Sequence, residues 1–477
     1  MSDYMSETII GGLKPCLRFS KISLRTHQKR VSNYMMKASN RGIMCYHSTG
    51  SGKSISALTI ARCLKLKTIF VVPAAVISGF EREIRRIKEF KDIMPHIELT
   101  TYGMFLNDFL NNPRSVSGKL VILDEVHNFR SPGQETYKMI WSMSKAKKVL
   151  LLSATPLQNE PYEIVSALCM LDRNSRIGSI ETAERYYKQE LTDFNEALEK
   201  FEKGRDSEPM KELLSGRVSY FQAKITRADE NPYYPKVYNS WKKIDMTRDY
   251  YNKYAKIENN VTKGLPKQFR TSRDLSAFFN GLRRASNHIS KLSPKIKEVI
   301  RLTKELVSKK RKIVIYDAFQ DSGIELIKKE LNAKKIETVQ VTGKESIKQK
   351  SQAITQFNND QVQVMLITQA AAAGVNLLGV RDLMIVSPHW NESLIHQVIH
   401  RGVRFKSHTH LPESKQNIRI HRFMLRKPKN IREKKSLTKK ERMSIDEIVY
   451  SYAKGKEKRM KVFYSLMIKC SIERGGC

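Results

Sequence analysis

The chain has 477 residues, with 86 Lys and Arg against 48 Asp and Glu, which leaves a formal net charge of +38. This length is too great for one ordinary domain and suits two or three, and an apolar fraction of 40% fits a folded globular protein. The basic surplus favours a polyanionic partner, nucleic acid before acidic lipid, and no apolar run reaches the roughly 18 residues that a membrane span needs.

The chain begins MSDYMSETIIGG, without the charged-then-apolar order of a signal peptide. Its cysteines are widely scattered and form no C-x-x-C pair for zinc or redox chemistry. We therefore expect a soluble intracellular protein with no membrane partner, and reduced thiols throughout. The six cysteines are Cys16, Cys45, Cys63, Cys169, Cys470 and Cys477.

Three short runs rich in β-branched residues lie before residue 160. They read TIFVVP (68–73), KLVILDE (119–125) and KVLLLSATP (148–156). Because they are continuously apolar and helix-like stretches separate them, they predict buried strands of a parallel sheet. We expect a first α/β lobe over residues 1–171.

Within this lobe, CYHSTGSGKS (45–54) is close to the phosphate-loop pattern G-x-x-x-x-G-K-[ST], with His47 where the first Gly is expected. A helix-favouring run follows, so loop N–H groups and a helix N-terminus could face phosphates. Lys53 would then reach the β- and γ-phosphates, and the Ser54 hydroxyl would bind Mg2+. Taken alone, the stretch could also be a polar surface turn.

Two carboxylates end the second predicted strand, in the sequence VILDEVH. Asp124 could hold Mg2+ through its water shell, and Glu125 could act as general base on an attacking water. By itself such a pair could also be the start of a solvated loop. The Lys-Ser loop some 70 residues earlier favours a nucleotide site.

The stretch from about 172 to 295 is rich in Glu, Lys, Arg, Tyr and Phe, and its spacing is helical with no convincing strand. We predict a helical insertion or linker over 172–292. Pro294 then suits the first turn of a helix that packs on a second lobe.

Four more apolar runs follow residue 310 and predict the parallel strands of a second α/β lobe over 293–424. The remaining segment, 425–477, is predicted to be helical and basic. Residues 401–477 contain 22 Lys and Arg against 7 Asp and Glu, a local excess of 22 − 7 = 15. The four runs are KIVIYD (312–317), TVQVTG (338–343), VQVMLIT (362–368) and DLMIVSP (382–388).

The run QVIHRGVR (397–404) places Arg401 and Arg404 three residues apart, on one face of a predicted helix. Their guanidinium groups could point at a phosphate held by the other lobe and neutralise charge in the transition state. A lone R-x-x-R would more simply be a basic helix facing nucleic acid. The spacing from Gln397 makes the arginines part of a larger pattern.

The ordered set of motifs resembles the superfamily 2 helicases and translocases, and within them the Swi/Snf-like ATPases. The first lobe would hold six of the family's motifs and the second lobe three. In order, they are LRTHQ (24–28), HSTGSGKS (47–54, motif I), VVP (71–73, Ia), TTYGMF (100–105, Ib), DEVH (124–127, II), SAT (153–155, III), IVIYDAF (313–319, IV), TQAAAAGVNLLG (368–379, V) and QVIHRGVR (397–404, VI).

The resemblance implies two RecA-like lobes and an ATP hydrolase that uses ATP and Mg2+. It assigns nucleotide binding to Gln28, His47, Ser48, Thr49, Gly50, Ser51, Gly52, Lys53, Ser54 and Asp124, with Ser54 and Asp124 at the metal. It assigns catalysis to Glu125, Gln397, Arg401 and Arg404, and coupling of hydrolysis to movement to His127, Ser153, Thr155 and Gly374.

Finer details resemble the Swi/Snf branch, among them SATPLQNEP (153–161), GVNL (374–377) and the Trp390-Asn391 pair. They imply translocation on duplex DNA without full strand separation. A DEVH-type RNA helicase that unwinds is the alternative. A non-catalytic binding protein with a degenerate site is disfavoured, because the catalytic residue types are all present.

GRVSYF (216–221), NPYYPKV (231–237) and His47 resemble large-DNA-virus members, namely poxvirus nucleoside triphosphatase I and the early transcription factor ATPase subunit. In that resemblance the position of His47 is not reserved for Gly, so the loop is expected to work. It further implies viral RNA polymerase or transcription factors as partners, and a place in the virion and host cytoplasm. The chain is shorter than those relatives, and many Swi/Snf enzymes have another residue at His127.

Overall fold

The computed structural model describes most of the chain, in two compact units. The first unit comprises the described residues of Met1–Leu157, Pro161–Ala223 and Phe463–Cys477, and the second those of Gln158–Glu160 and Lys224–Val462. No helix among the described residues has the length and apolar character needed to cross a membrane. The described residues are 15–48, 50–74, 77, 80–81, 84, 87–155, 157, 160–221, 233–263, 272–369, 376–404 and 406–475.

The first unit contains a six-stranded parallel sheet of order β3-β2-β4-β5-β1-β6. Every residue of β2, β4 and β5 is buried, because these strands are apolar on both faces and lie in the interior of the sheet. The strands are β1 Gly42–His47, β2 Thr68–Val72, β3 Ile97–Thr101, β4 Leu120–Leu123, β5 Lys148–Ser153 and β6 Val218–Phe221.

Helices of the first unit supply the other half of its core. Val31 of the first helix and Ile60 of the second join Phe70, Ile122 and Leu150 of the sheet in one buried cluster. The helices are α1 Thr26–Met36, α2 Lys53–Leu64, α3 Tyr102–Asn111, α4 Gln134–Lys145, α5 Val165–Leu171, α6 Ile180–Glu202 and α7 Glu208–Leu214.

The second unit contains another six-stranded parallel sheet, of order β11-β12-β10-β13-β14-β7. A short antiparallel pair, β8 and β9, lies directly before the helix that begins at Pro294. The strands are β7 Lys236–Asp245, β8 His288–Ile289, β9 Lys291–Leu292, β10 Ile313–Tyr316, β11 Thr338–Val341, β12 Val364–Ile367, β13 Asp382–Ile385 and β14 Asn417–Arg426.

The helix that begins at Pro294 packs Ile296, Val299 and Ile300 against the second sheet, as its apolar spacing predicts. The helices in this part of the chain are α8 Arg248–Lys263, α9 Ser272–Ala285, α10 Pro294–Ser308, α11 Glu325–Ala333, α12 Ile347–Asn358, α13 Glu392–Gly402, α14 Lys429–Arg432, α15 Lys439–Arg442 and α16 Ile445–Lys469. Residues of α16 up to Val462 belong to the second unit, and those from Phe463 onward belong to the first.

The two parallel sheets confirm the predicted RecA-like lobes, and all seven predicted strands occur. The statement that residues 172–295 hold no convincing strand is wrong, because β6 and β7 lie there and each forms an edge of one sheet. Strand β7 reads KVYNSWKKID and is half-exposed along its length. An edge strand of this kind lacks the continuous apolar run by which buried strands are recognised.

The prediction of reduced thiols is wrong for Cys16 and Cys63, which form a disulfide, and for Cys470, which is also disulfide-bonded. Cys16 lies in a short 3-10 helix, Pro15–Leu17, and Cys63 lies near the end of α2, with the two Cα atoms 5.2 Å apart. That distance suits a disulfide. The two cysteines are 47 residues apart in the sequence, and a separation of that length does not indicate a pair. Cys45 and Cys169 are buried free thiols, as predicted.

The segment after residue 425 is basic but also supplies core residues. Ile445 and Val449 are fully buried with Tyr254 in the second unit, whereas Val462 is 57% exposed. The start of α16 is held by a buried ion pair in which Lys295 Nζ lies 2.7 Å from Asp446 Oδ2. Removal of this segment would therefore open the core of the second unit.

Candidate functional site

Motif I forms the turn between β1 and α2. Gly50 and Gly52 have φ values of 77° and 83°, in the left-handed region that favours glycine, and Gly52 caps the N-terminus of α2. The helix begins at Lys53, so its first N–H groups border the loop. Lys53 Nζ donates hydrogen bonds to the carbonyl oxygens of His47 (2.9 Å) and Ser48 (3.3 Å). Thr49 lies outside the described residues.

Two neighbouring side chains of α1 hold the motif I loop. Gln28 Nε2 donates to the carbonyl oxygen of Gly52 at 3.1 Å, while its Oε1 accepts from the backbone N–H of Arg25 at 2.8 Å. His27 Nε2 lies 3.2 Å from the carbonyl oxygen of Ser51. Sequence reasoning singled out Gln28 and missed His27, although both stand in the LRTHQ stretch.

His47, at the unusual first position of the loop, is fully buried at the end of β1. Its Nε2 lies 2.8 Å from Ser219 Oγ of β6, and its ring meets the His27 ring edge-on, with centroids 5.0 Å apart. Burial, followed by the nearby His27 and Lys53, lowers the pKa of His47 well below its usual value. The imidazole is therefore neutral at physiological pH.

Motif II follows the end of β4. The N–H of Asp124 donates to the carbonyl oxygen of Val71 at 2.9 Å, and Asp124 Oδ1 accepts from the N–H of Glu125 at 3.0 Å. Glu125 has a φ of 51°, which is rare for a side-chain-bearing residue. The Tyr102 hydroxyl donates to the carbonyl oxygen of Asp124 at 2.5 Å and fixes this turn. Sequence reasoning missed Tyr102, although it lies inside motif Ib.

Motif III lies beside motif II, because β5 is the neighbour of β4 and both strands end at the same edge of the sheet. His127 Nδ1 lies 3.2 Å from Glu125 Oε2 and 3.1 Å from Ser153 Oγ. Ser153 Oγ also accepts from the backbone N–H of Thr155 at 3.0 Å. The structure thus joins three of the predicted coupling residues to the predicted general base.

The residues predicted at the metal fit Mg2+ by chemistry and position. Ser54 lies in the first turn of α2, and Asp124 follows β4, so both leave the carboxyl edge of one parallel sheet. A hydroxyl and a carboxylate are the hard oxygen ligands that Mg2+ prefers alongside phosphate oxygens.

Motif VI lies in the second unit, and its geometry differs from the prediction. Gln397 and Arg401 stand four residues apart on α13, but the helix ends at Gly402, so Arg404 is not on its face. The β-branched Val403 has a non-helical ψ of 86° and ends the helix. Arg404 Nε donates back to the carbonyl oxygen of His400 at 3.0 Å. Gly374, the remaining coupling residue, lies outside the described residues.

Replacing Gly52 with Ala should weaken nucleotide binding, because its Cβ would lie 2.5 Å from Gln28 Nε2. The left-handed backbone adds strain of about 1–2 kcal/mol. Gly118→Ala is a matched control, since Gly118 has a φ of +75° and no described residue beyond its chain neighbours lies within 4 Å of the added Cβ. Denaturant unfolding and titration with a fluorescent ATP analogue should show similar backbone strain in both variants and weaker binding only in Gly52→Ala. Equal affinity in the two variants would contradict the role of Gln28 and Gly52.

Sequence comparisons match the two units separately. Residues 21–158 match the family "Type III restriction enzyme, res subunit", and residues 294–406 match "Helicase conserved C-terminal domain". A protein of Acanthamoeba polyphaga mimivirus named as an ATP-dependent RNA helicase is 27% identical, covering 95% of this chain and 98% of its own. Nucleoside triphosphatase I of Heliothis armigera entomopoxvirus is 22% identical, and the match covers 95% of this chain and 79% of the entomopoxvirus protein.

Among solved structures, the Pyrococcus furiosus Hef helicase domain covers 84% of this chain and 95% of its own, with 14% identity and a TM-score of 0.46. The phosphate loop and the two parallel-sheet lobes define a P-loop nucleoside triphosphatase. With both helicase-lobe families matched in order, the chain belongs to the superfamily 2 helicases. It is an ATP hydrolase of that class.

Proposed function

We propose that this protein is a nucleic-acid-dependent ATPase that translocates along duplex DNA and serves viral transcription. The observation that supports the ATPase reaction most is the position of motifs I, II and III. Their loops follow β1, β4 and β5, which are neighbours in one parallel sheet. Ligands of open α/β sheets bind at this carboxyl edge.

In this proposal the first unit binds ATP and starts its hydrolysis. Lys53 and the loop N–H groups hold the phosphates, while Ser54 and Asp124 hold Mg2+, which supplies positive charge to the phosphate oxygens. Glu125 accepts a proton from the attacking water. Its carboxylate is oriented by His127, whose contact with Ser153 connects the base to motif III.

The second unit contributes Gln397, Arg401 and Arg404, which we propose act on the charge that develops on the phosphates during hydrolysis. The Ser407 hydroxyl shapes the turn after α13, since it donates to the carbonyl oxygen of Arg404 at 2.8 Å and accepts from its N–H at 3.2 Å. A fixed turn suits a residue that must meet a phosphate in one geometry.

The proposed track is a nucleic acid because the chain carries a net charge of +38. Part of this charge is a run of exposed lysines near α14 and α15, namely Lys434, Lys435, Lys439 and Lys440. The similarity to nucleoside triphosphatase I supports viral transcription as the process. We further propose viral RNA polymerase or transcription factors as partners, and the virion and host cytoplasm as the location.

A DEVH-type helicase that unwinds RNA is the second candidate. It is supported by the mimivirus relative, which is named as an RNA helicase and matches almost the whole of both chains. The two candidates differ in their track and in whether strands are separated.

The ATPase rate should be measured without nucleic acid and with duplex DNA, single-stranded DNA or RNA, alongside a strand-displacement assay. We expect the strongest stimulation by duplex DNA and no displacement. Strong stimulation by RNA with displacement would favour the second candidate. An absence of ATPase activity under all four conditions would contradict both.

A further inference from the structure

The structure connects a carboxylate near the far end of the sequence to the start of motif I. Glu473 lies in a short 3-10 helix, Ile472–Arg474, that follows α16 and packs on β6 in the first unit. Its Oε2 accepts from the backbone N–H of Tyr220 at 2.8 Å, and its Oε1 accepts from the Ser219 hydroxyl. Its carbonyl oxygen accepts from Arg30 Nη1 of α1 at 3.0 Å.

These contacts set the direction of the next hydrogen bond. The Ser219 hydroxyl has one proton, and it donates that proton to Glu473. Its oxygen is then the acceptor for His47 Nε2, at 2.8 Å. His47 therefore carries its proton on Nε2, and its buried Nδ1 has no hydrogen-bond partner among the described residues.

The chain of bonds ends at the phosphate loop. His47 is the last residue of β1, and its carbonyl oxygen accepts from Lys53 Nζ at 2.9 Å. Strand pairing places Cys45 opposite Ser219 and His47 opposite Phe221, so a shift of β6 moves the end of β1 as well. The His27 ring stacks on the Phe221 ring, with centroids 3.6 Å apart, and links β6 to the loop from the other side.

We propose that Glu473 is a positioning residue for the phosphate-binding loop, acting through Ser219 and His47. The proposal rests on the function proposed for motif I. It explains why a histidine can replace the usual first glycine, because the buried imidazole connects the loop to a fixed carboxylate. If Glu473 served only to hold the 3-10 helix of residues 472–474 on β6, its replacement would change neither the proton position on His47 nor the KM for ATP.

Glu473→Gln reverses the donor and acceptor roles in the hydrogen bonds that join residue 473, Ser219 and His47, with little change in side-chain size. The Gln oxygen is needed by the N–H of Tyr220, so its NH2 group faces Ser219 Oγ and donates to it. The Ser219 proton then turns towards His47 Nε2, which becomes an acceptor and leaves the proton on Nδ1. Ser219→Ala instead removes the connection and keeps the bond from Tyr220 to Glu473.

Both variants should raise the KM for ATP about tenfold with a smaller change in kcat, and the double variant should show no further rise. Glu208→Gln, at an exposed surface carboxylate of the same unit, is the matched control. Melting curves report whether each variant folds. Nitrogen-15 correlation spectra of histidine-labelled protein should show the His47 proton on Nε2 in the unchanged protein and on Nδ1 in Glu473→Gln.

A normal KM in folded Glu473→Gln and Ser219→Ala would overturn the proposal, as would a His47 proton that stays on Nε2 in Glu473→Gln. Should Glu473→Gln fail to fold, the test is the KM of Ser219→Ala together with the spectrum of the unchanged protein. A normal KM, or a His47 proton on Nδ1 in the unchanged protein, would then overturn the proposal. The spectrum requires no nucleotide. If the proposed ATPase function were wrong, the unchanged protein would show no ATP turnover. The position of the His47 proton would still be measurable, so the two failures can be distinguished.

Discussion

Replacing Glu125 with Gln should lower ATP hydrolysis by about 10²–10⁴-fold, the usual contribution of a general base, and leave ATP binding in place. The amide keeps the size of the carboxylate but cannot accept a proton from water. The backbone of the turn is held independently by the Tyr102 hydroxyl, which bonds the carbonyl oxygen of Asp124. Single-turnover hydrolysis and titration with a fluorescent ATP analogue measure the two quantities.

Glu135→Gln is the matched control, since Glu135 is an exposed carboxylate in the first turn of α4 that pairs with Lys138. A surface pair of this kind contributes about 0–1 kcal/mol, so this variant should hydrolyse ATP normally. A normal rate in Glu125→Gln would mean that another group activates the water and that motif II is wrongly assigned.

The second large effect is expected for Arg404→Ala, which should bind ATP almost normally and hydrolyse it about 10³-fold or more slowly. Motif I lies wholly in the first unit, whereas Arg404 lies in the second. A guanidinium that acts on developing charge lowers the barrier without contributing much to ground-state binding. Pre-steady-state hydrolysis and ATP affinity separate these effects.

Arg419→Ala is the control for Arg404→Ala, because Arg419 is an exposed residue of β14 in the same unit. Arg404→Lys retains the positive charge without the planar fork of donors, and it should recover only part of the rate. An unchanged rate in Arg404→Ala would remove this residue from the catalytic group. Melting curves report whether Arg404→Ala folds.

Sequence patterns predicted seven of the strands, because a strand covered on both faces is apolar throughout. They missed the edge strands β3, β6 and β7, and also β1 and β14, which lie inside their sheets. Strand β7, for example, mixes lysines with polar and aromatic residues and is half-exposed. Spacing also predicted a common helix face for Arg401 and Arg404, but the residues between them end the helix. The roles of Gly50 and Gly52 were predictable, since their conformations follow from the motif itself.

Contacts between distant parts of the chain were the least predictable. Ser219 and Glu473 are 254 residues apart, and neither stands in a helicase motif. The disulfide between Cys16 and Cys63 has no sequence signature either. Such pairs depend on the order of the strands in the sheet and on which distant segment packs against them. Local periodicity of the sequence contains no information about either.

The return of residues 463–475 to the first unit has a consequence for biosynthesis. About 240 residues are made between the strand β6 region and Phe463, which is buried beside Phe194 of α6. At roughly 5–20 residues per second, a ribosome needs on the order of 10–50 s to supply them. Throughout that interval the nascent first lobe exposes the apolar surface that Phe463 and Leu466 later cover, and transiently exposed apolar surface of this kind favours aggregation. The second lobe, made later, completes its own core before the first lobe does.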